Sequence, residues 1–356
     1  MLEIQSSPSI LPRKSVVTRR GFIATVASCG VLAACHDESH DPRRTAAQRR
    51  DWEAVAYPSW EPDAYRSDAA RVAISQIADL GVKAIQLVPT WYSPARDSVQ
   101  FGPDPEQSPT DQALEQAIEW SHSAGLAVML KPHVDVLGDS DRAQIQAAAG
   151  PWFETYHRFT DHYTALAAKH QVRGYCVGTE LNGMAHFDAD WKAVIASVRS
   201  AFSGDVTYAA NFDSYSRVNF WQELDVIGIN GYFNLVDRAT ADVDRLVRAW
   251  DLPMKSLSEF SAAHNRPIVM TEIGFRSIRG AAVAPWEWAE PGEASNEEQA
   301  AAYQAALVRF AEARWLRGVQ WWMWDDPTNE SVPHDRSYSP RGKPAEEVLR
   351  STYGGD

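Results

Sequence analysis

The sequence contains little cysteine. Three cysteines occur among its 356 residues, at positions 29, 35 and 176. The first two lie in, or directly after, an N-terminal export segment described below, so Cys176 is expected to be the one free thiol of the mature protein. A lone cysteine excludes an intrachain disulfide, even in an oxidising compartment. The stability of the fold must therefore come from a large apolar core.

Basic residues are in deficit. Lys and Arg together number 34 against 47 Asp and Glu, which gives a formal net charge of −13 at pH 7. Binding of nucleic acid needs clustered cations that contact phosphates, so this balance excludes nucleic acid as an expected partner. A hydrophobic content of 45% with 23% charged residues is ordinary for a packed globular protein.

Long hydrophobic runs are also missing. The apolar run over residues 22–34 is too short to form a permanent membrane span. It follows the twin-arginine pair Arg19 and Arg20, and it ends in the sequence LAAC at 32–35, which resembles a lipobox. We therefore predict that residues 1–34 form a twin-arginine lipoprotein signal peptide.

The predicted signal peptide divides the chain into three segments. Its removal makes Cys35 a lipidated N-terminus, and residues 35–51 are polar enough to act as a tether. The folded domain then covers residues 52–356. The expected product is a membrane-anchored lipoprotein on the periplasmic or cell-surface side, for which the membrane is a partner through the lipid anchor.

A glycine-rich phosphate turn is absent where a dinucleotide-binding doubly wound sheet would need one. The turn after the first predicted strand, at residues 58–62, has the sequence PSWEP. From about residue 52, short β-rich runs alternate with longer runs of helical period, which indicates a parallel sheet. Eight such runs predict a single (β/α)8 barrel, with an open doubly wound sheet as the alternative. The predicted strands are Ala54–Pro58, Lys83–Pro89, Ala127–Val134, Gly174–Thr179, Val206–Asn211, Val226–Asn230, Ile268–Thr271 and Val319–Trp324.

Two of the segments between these strands carry clear helix signals. Apolar residues from Trp191 to Phe202 repeat at i, i+3, i+4, i+7 and i+11, which is the spacing of an amphipathic helix. Ser108 is followed by Pro109, and this pair predicts a helix that begins with Ser108 as its N-cap.

Carboxylates, amides and large aromatic residues follow the predicted strands. In a (β/α)8 barrel these C-terminal strand ends meet at the active site. Glu180 and Glu272 stand 92 residues apart, which is about three βα units, and they follow the fourth and seventh predicted strands. Trp91 follows the second strand and is a candidate aromatic platform. Paired carboxylates beside aromatic faces indicate hydrolysis of a glycosidic bond, because one carboxyl protonates the leaving oxygen while the other attacks the anomeric carbon.

Six stretches of the sequence form an ordered set that extends over nearly all of residues 52–350. They are LVPTWY at 87–92, LKPHVD at 130–135, VGTEL at 177–181, YAAN at 208–211, MTEIG at 270–274 and YSPRGKPA at 338–345. In this order they resemble glycoside hydrolase family 113, a β-mannanase-type family within the clan of retaining (β/α)8 glycosidases.

The resemblance implies roles for individual residues. Glu180 would be the acid/base and Glu272 the nucleophile of a retaining hydrolase that cleaves β-1,4-linked mannose-type, or related, oligo- and polysaccharides. Thr179 stands where most of the clan carries Asn, and family 113 also tends to have Thr there. The residues implied to line the subsite around the scissile bond are Lys131, His133, Asn211, Tyr232 and Trp324.

Two other functions are compatible with a barrel. His133 and Asp135 suggest a metal-dependent hydrolase, but the remaining predicted strand ends offer no further histidine as a ligand. A lipid-anchored glycan-binding protein on an inactive barrel is the second alternative, although both glutamates are present. We predict no cofactor, no metal and a monomeric protein. The identity of the sugar and the choice between exo and endo cleavage stay open.

Overall fold

The computed structural model of the chain describes residues 50–138, 141–328 and 334–355. The predicted signal peptide, Cys35 and the tether up to residue 49 lie outside the described residues. Within the described ranges, no helix is both long and apolar enough to cross a membrane.

Eight parallel strands close into a barrel, and this confirms the predicted (β/α)8 fold. Their order around the barrel is β1-β10-β9-β8-β7-β6-β4-β2, with β1 hydrogen-bonded to both β10 and β2. The barrel strands are β1 (Ala54–Pro58), β2 (Ala84–Val88), β4 (Ala127–Leu130), β6 (Gly174–Thr179), β7 (Asp205–Asn211), β8 (Ile227–Asn230), β9 (Ile268–Ile273) and β10 (Leu316–Trp321).

The third predicted strand, Ala127–Val134, is divided in the structure, and the second, Lys83–Pro89, is followed by a short strand that was not predicted. After Pro89, the chain continues as β3 (Thr90–Ser93), and after Pro132 it continues as β5 (His133–Val136). These two short strands pair in parallel as a separate sheet beyond the barrel. Proline has no N–H to donate to a strand ladder, which explains why the barrel strands stop before these positions.

The last barrel strand lies about three residues earlier than predicted, because it begins at Leu316 and ends at Trp321. Its start was obscured by Arg317 and Gly318, which do not resemble a strand in sequence. Gly318 is required by packing, since a Cβ at this position would lie 2.2 Å from the backbone carbonyl carbon of Trp52. This shift changes which of the following tryptophans faces the barrel mouth.

Helices connect the barrel strands and cover the outside of the barrel. The predicted stripe from Trp191 to Val198 is buried on one of them. The helix that was predicted to begin with Ser108 as its N-cap begins at Asp111 instead. Its N-cap is Thr110, whose side chain accepts a hydrogen bond from the Ala113 N–H. Ser108 instead donates a hydrogen bond of 2.6 Å to the carbonyl of Thr90. The α-helices of the described residues are α1 (Asp68–Asp79), α2 (Asp111–Ser123), α3 (Ala149–Lys169), α4 (Asp188–Ala201), α5 (Val243–Ala249), α6 (Asp251–His264), α7 (Asn296–Phe310) and α8 (Pro344–Tyr353).

Candidate active site

Glu272 is buried near the C-terminal end of β9 and is held from two sides. The ammonium group of Lys131 donates to its Oε1 in a buried ion pair, and the hydroxyl of Tyr232 donates to its Oε2 at 2.8 Å. Lys131 itself is fully buried, and its Nζ also lies 3.5 Å from Asn230 Oδ1. These contacts fix both oxygens of the carboxylate and compensate its charge.

His133 lies beside this carboxylate without a hydrogen bond to it. Its Nε2 is 3.9 Å from Oε1 of Glu272 and is buried without a hydrogen-bond partner. Burial, together with the nearby cations Arg142 and Lys131, lowers the pKa of His133 well below the ordinary value. The imidazole is therefore neutral at pH 7. Its ring lies beside Glu272, where the sequence placed it as a residue of the subsite around the scissile bond.

Glu180 directly follows β6 and has an unusual backbone conformation, with φ of 56°. This left-handed region is uncommon for residues other than glycine, and where it occurs it often marks a functional position. The turn is held by a hydrogen bond from the Glu180 N–H to the Ala209 carbonyl at 2.8 Å, and by the Asn182 N–H, which donates to the Glu180 carbonyl at 2.8 Å.

Arg142 joins Glu180 to a second carboxylate. Its Nη1 donates to Glu180 Oε2 at 3.0 Å, and its Nε donates to Asp135 Oδ1 at 2.7 Å. The arginine lies in a short 3-10 helix, Arg142–Gln144, in the connection after β5. Sequence reasoning missed this residue because it lies within a connection, eight residues after the predicted strand end at Val134. The nearest signal was Asp135, an unexplained carboxylate that pairs with this cation.

The two glutamates have different electrostatic environments. Burial and, second, the negative charge of Glu272 raise the pKa of Glu180, while Arg142, Asn230 and Lys131 oppose this rise. Glu272, in contrast, has direct contacts with the Lys131 cation and with a donated hydroxyl. Two carboxyl groups with different environments can serve as a protonated acid and an ionised nucleophile in one site.

The structure places Trp322, rather than Trp324, beside these residues. The indole of Trp322 stacks at 6.3 Å and 17° on the His133 ring, and Lys131 Nζ lies 6.0 Å from its centroid. Trp324 is buried, and its Nε1 donates to Gln76 of α1 at 3.3 Å. Position 324 lies three residues beyond the end of β10 at Trp321, and the predicted site residue packs against a helix instead.

Because successive side chains of a strand alternate, one of the adjacent residues Trp321 and Trp322 must face the helices. It is Trp321, which stacks on Tyr303 of α7 with ring centroids 4.3 Å apart. The alternation of side chains along a strand, applied to the observed end of β10, assigns Trp322 to the opposite side. Alternation is the signal that could have found Trp322, but it requires the end of β10, which the sequence placed three residues too late.

Two further predicted residues lie in different surroundings. Trp91 is on β3, and its ring contacts are with Phe159, His162 and Tyr163 of α3, at 5.3, 5.6 and 6.0 Å. This packing against a helix favours a structural role over the predicted platform.

Asn211 ends β7 in register with Asn230, which is in turn in register with Glu272. Asn211 therefore belongs to the layer of the barrel mouth that holds the nucleophile candidate.

The comparison with known families agrees with this geometry. The sequence profile described as Glycoside Hydrolase Family 113 matches residues 57–343, which is most of the chain. The chain belongs to glycoside hydrolase family 113. It is therefore a glycoside hydrolase, as the strand-end carboxylates predicted.

Solved structures similar to this family 113 enzyme include β-mannanases. AaManA from Alicyclobacillus acidocaldarius, in complex with ManMIm, is 26% identical with a TM-score of 0.77, and the match covers 85% of this chain and 96% of that one. A family 113 β-1,4-mannanase complex is 23% identical with a TM-score of 0.78, covering 86% and 99%. None of the curated protein sequences matches the chain.

The metal-dependent alternative finds no support among the described residues. No group of three or more His, Cys, Asp or Glu side chains is gathered there in a way that could hold a metal ion. Asp135, which prompted the alternative together with His133, is paired with Arg142.

Replacing Arg142 with glutamine is expected to move the alkaline limb of the kcat/KM profile of the family 113 enzyme to higher pH. The arginine cation lowers the pKa of Glu180, so without it the carboxyl stays protonated to a higher pH. A pH series of oligosaccharide hydrolysis measures this shift. Arg142→Lys retains the cation and should keep the limb near the wild-type position. An unmoved limb in Arg142→Gln would contradict the assignment of Glu180 as the proton donor.

Proposed function

We propose that this family 113 enzyme is a retaining hydrolase of β-1,4-linked mannose-type saccharides, with Glu180 as acid/base and Glu272 as nucleophile, and that it acts as a monomer. The observation that carries the proposal is the difference between the two carboxyl groups. Glu272 is held by Lys131 and Tyr232 with its charge compensated, whereas burial and that same charge raise the pKa of Glu180.

In the first step, a carboxylate oxygen of Glu272 attacks the anomeric carbon while the bond from this carbon to the glycosidic oxygen breaks. Glu180 gives its proton to that oxygen, so the leaving sugar departs as a neutral alcohol. The hydrogen bond from Tyr232 and the ion pair with Lys131 orient the attacking carboxylate. The product of the step is a glycosyl ester on Glu272 with inverted configuration.

In the second step, Glu180 acts in the reverse sense. Its carboxylate takes a proton from a water molecule, whose oxygen attacks the same anomeric carbon and releases Glu272. The pKa of Glu180 is held between opposing effects, since burial and Glu272 raise it while Arg142 lowers it. Once the Glu272 charge is consumed in the ester, this repulsion is gone and Glu180 ionises more readily. Two inversions return the original configuration.

The proposal that the substrate is mannose-type is based on similar proteins. The family profile and the similarity to structures described as β-mannanases support β-1,4-linked mannose units ahead of other sugars. Hydrolysis of mannan, glucomannan, xylan and cellulose oligosaccharides by the purified mature protein tests this directly. We expect the highest kcat/KM on mannan-type oligosaccharides. Preferred hydrolysis of xylan or cellulose oligosaccharides would overturn the sugar assignment, and binding without any hydrolysis would favour an inactive barrel.

We also propose that the enzyme is exported by the twin-arginine route and anchored through a lipidated Cys35, on the periplasmic or cell-surface side. The support is the order of twin arginine, apolar run and lipobox in the sequence, followed by a polar tether.

Replacing Cys35 with serine is expected to move the protein from the membrane fraction to the soluble fraction, or to leave an unprocessed precursor, because the lipid attachment site is lost. Fractionation and immunoblotting measure the distribution, and hydrolytic activity should be retained. Cys29→Ser, in the segment that is removed, is the matched control and should stay membrane-bound. Unchanged fractionation of Cys35→Ser would contradict lipidation.

A further inference from the structure

An exposed tryptophan stands on an aromatic support beside the active site. Trp286, in the loop between β9 and α7, keeps 43% of its surface exposed, and its ring stacks on Phe212 with centroids 5.3 Å apart at 25°. Phe212 in turn contacts Phe233 at 5.4 Å. Phe212 directly follows β7, and Phe233 directly follows Tyr232. One indole face is thus covered by protein, and the residue still presents a large apolar surface to solvent.

The position of this loop is tied to the nucleophile candidate by a short series of contacts. The carbonyl of Pro285 accepts a hydrogen bond from the Tyr338 hydroxyl at 2.5 Å. The Tyr338 ring packs against Tyr232 at 6.1 Å, and the Tyr232 hydroxyl donates to Glu272. Arg276 donates to the carbonyl of Glu290 at 2.7 Å, which holds the other side of the loop. Trp286 is therefore a supported surface next to the site.

The order of strands assigns Trp286 to one side of the scissile bond. Phe212 follows β7, which is the direct neighbour of β6, the strand that Glu180 follows. Because Glu180 protonates the departing oxygen in the proposed mechanism, the leaving sugar lies on the side of β6 and β7. We propose that Trp286, supported by Phe212, is a platform for a sugar ring on the leaving-group side of the bond that is cleaved. This inference rests on the proposed function.

The occupant is a pyranose ring of a β-linked oligosaccharide, because its axial C–H face is apolar and packs against an indole face. A second exposed tryptophan, Trp60, follows β1, which lies across the barrel from β7. The line from β1 to β7 passes between β9 and β6, the strands of the two glutamates. A saccharide chain along this line has sugars on both sides of the scissile bond, which corresponds to endo cleavage.

Trp286→Ala tests the platform with two kinds of substrate. We expect kcat/KM for mannopentaose to fall at least tenfold more than kcat/KM for an aryl β-mannoside, whose leaving group does not extend along the cleft. With mannopentaose labelled at its reducing end, the labelled products should shift to shorter fragments, because a binding position for the leaving segment is lost. Trp286→Phe keeps a flat ring and should give an intermediate effect.

Trp288→Ala is the matched control, since Trp288 lies in the same loop and is 60% exposed. We expect it to retain the wild-type ratio and product pattern. Equal losses on both substrates in Trp286→Ala, or an unchanged product pattern, would overturn the platform while leaving the proposed function intact. If the wild-type enzyme hydrolyses neither substrate, the proposed function fails first and the platform fails with it.

Discussion

Replacing Glu272 with alanine is expected to lower kcat by on the order of 10⁵-fold on every substrate, including aryl glycosides with good leaving groups. No substrate can bypass the nucleophile, because the bond to the anomeric carbon forms through its carboxylate oxygen. Activated aryl glycosides and oligosaccharides should therefore fail alike, and steady-state assays on both measure this. Added azide can attack in place of the lost carboxylate and should give a glycosyl azide of inverted configuration.

The loss of Glu272 also affects stability, which must be separated from catalysis. Lys131 is fully buried, and without its partner an uncompensated charge stays in the barrel, at a cost of about 3–5 kcal/mol. Glu272→Gln retains an oxygen that can accept from Lys131 or Tyr232 and is the second variant to compare by thermal unfolding. Glu154→Ala, on the exposed side of α3, is the control. Substantial activity in a folded Glu272→Gln protein would contradict the assignment of the nucleophile.

Replacing Glu180 with alanine is expected to lower kcat on oligosaccharides by on the order of 10³-fold or more, the size of effect that general acid catalysis supplies. The rate of the first step with an activated aryl glycoside should fall much less. A good leaving group needs no proton, so the covalent intermediate still forms. Its breakdown is slow, because no general base activates water. A burst of aryl alcohol followed by a slow steady state measures the two steps.

Azide distinguishes this variant from the first. As an anion it needs no deprotonation, so it should restore turnover in Glu180→Ala and give a glycosyl azide of retained configuration. The configuration is read by proton NMR. The same experiment on the nucleophile variant gives the opposite configuration, so the pair of results assigns both roles. Absence of rescue in Glu180→Ala, or an inverted azide, would contradict its role as acid/base.

Much of the fold could be predicted from the sequence, because barrel strands are short apolar runs at regular intervals. The two glutamates were predictable for the same reason, since each directly follows a predicted strand and the spacing between them corresponds to whole βα units. In the structure Glu180 directly follows β6, whereas Glu272 is the second-last residue of β9. Lys131, His133 and Tyr232 were likewise close to strand ends, and the structure brings all three to Glu272.

The features that the sequence did not predict depend on tertiary contacts or on the residue at which a strand ends. Arg142 is placed by a connection whose course no local pattern specifies, and only its ion pairs with Asp135 and Glu180 reveal it. Trp324 was predicted in place of Trp322 because the end of β10 was placed three residues too late. Positions 322 and 324 have the same parity, so strand alternation alone does not distinguish them. The division of the third predicted strand at Pro132 and the additional strand β3 after Pro89 both depend on a proline that interrupts strand pairing, which the apolar pattern alone does not show.

The central claim is that Glu272 forms a covalent bond with the sugar. Incubation with 2-deoxy-2-fluoro-β-mannosyl fluoride tests it most directly, because fluorine at C2 slows both steps while the fluoride leaving group keeps the first step fast enough for the ester to accumulate. Peptide mass spectrometry of the inactivated enzyme then locates the sugar. We predict a single fluorosugar on the peptide that contains Glu272. An adduct on any other residue, or no adduct in an enzyme that hydrolyses β-mannosides, would contradict the account.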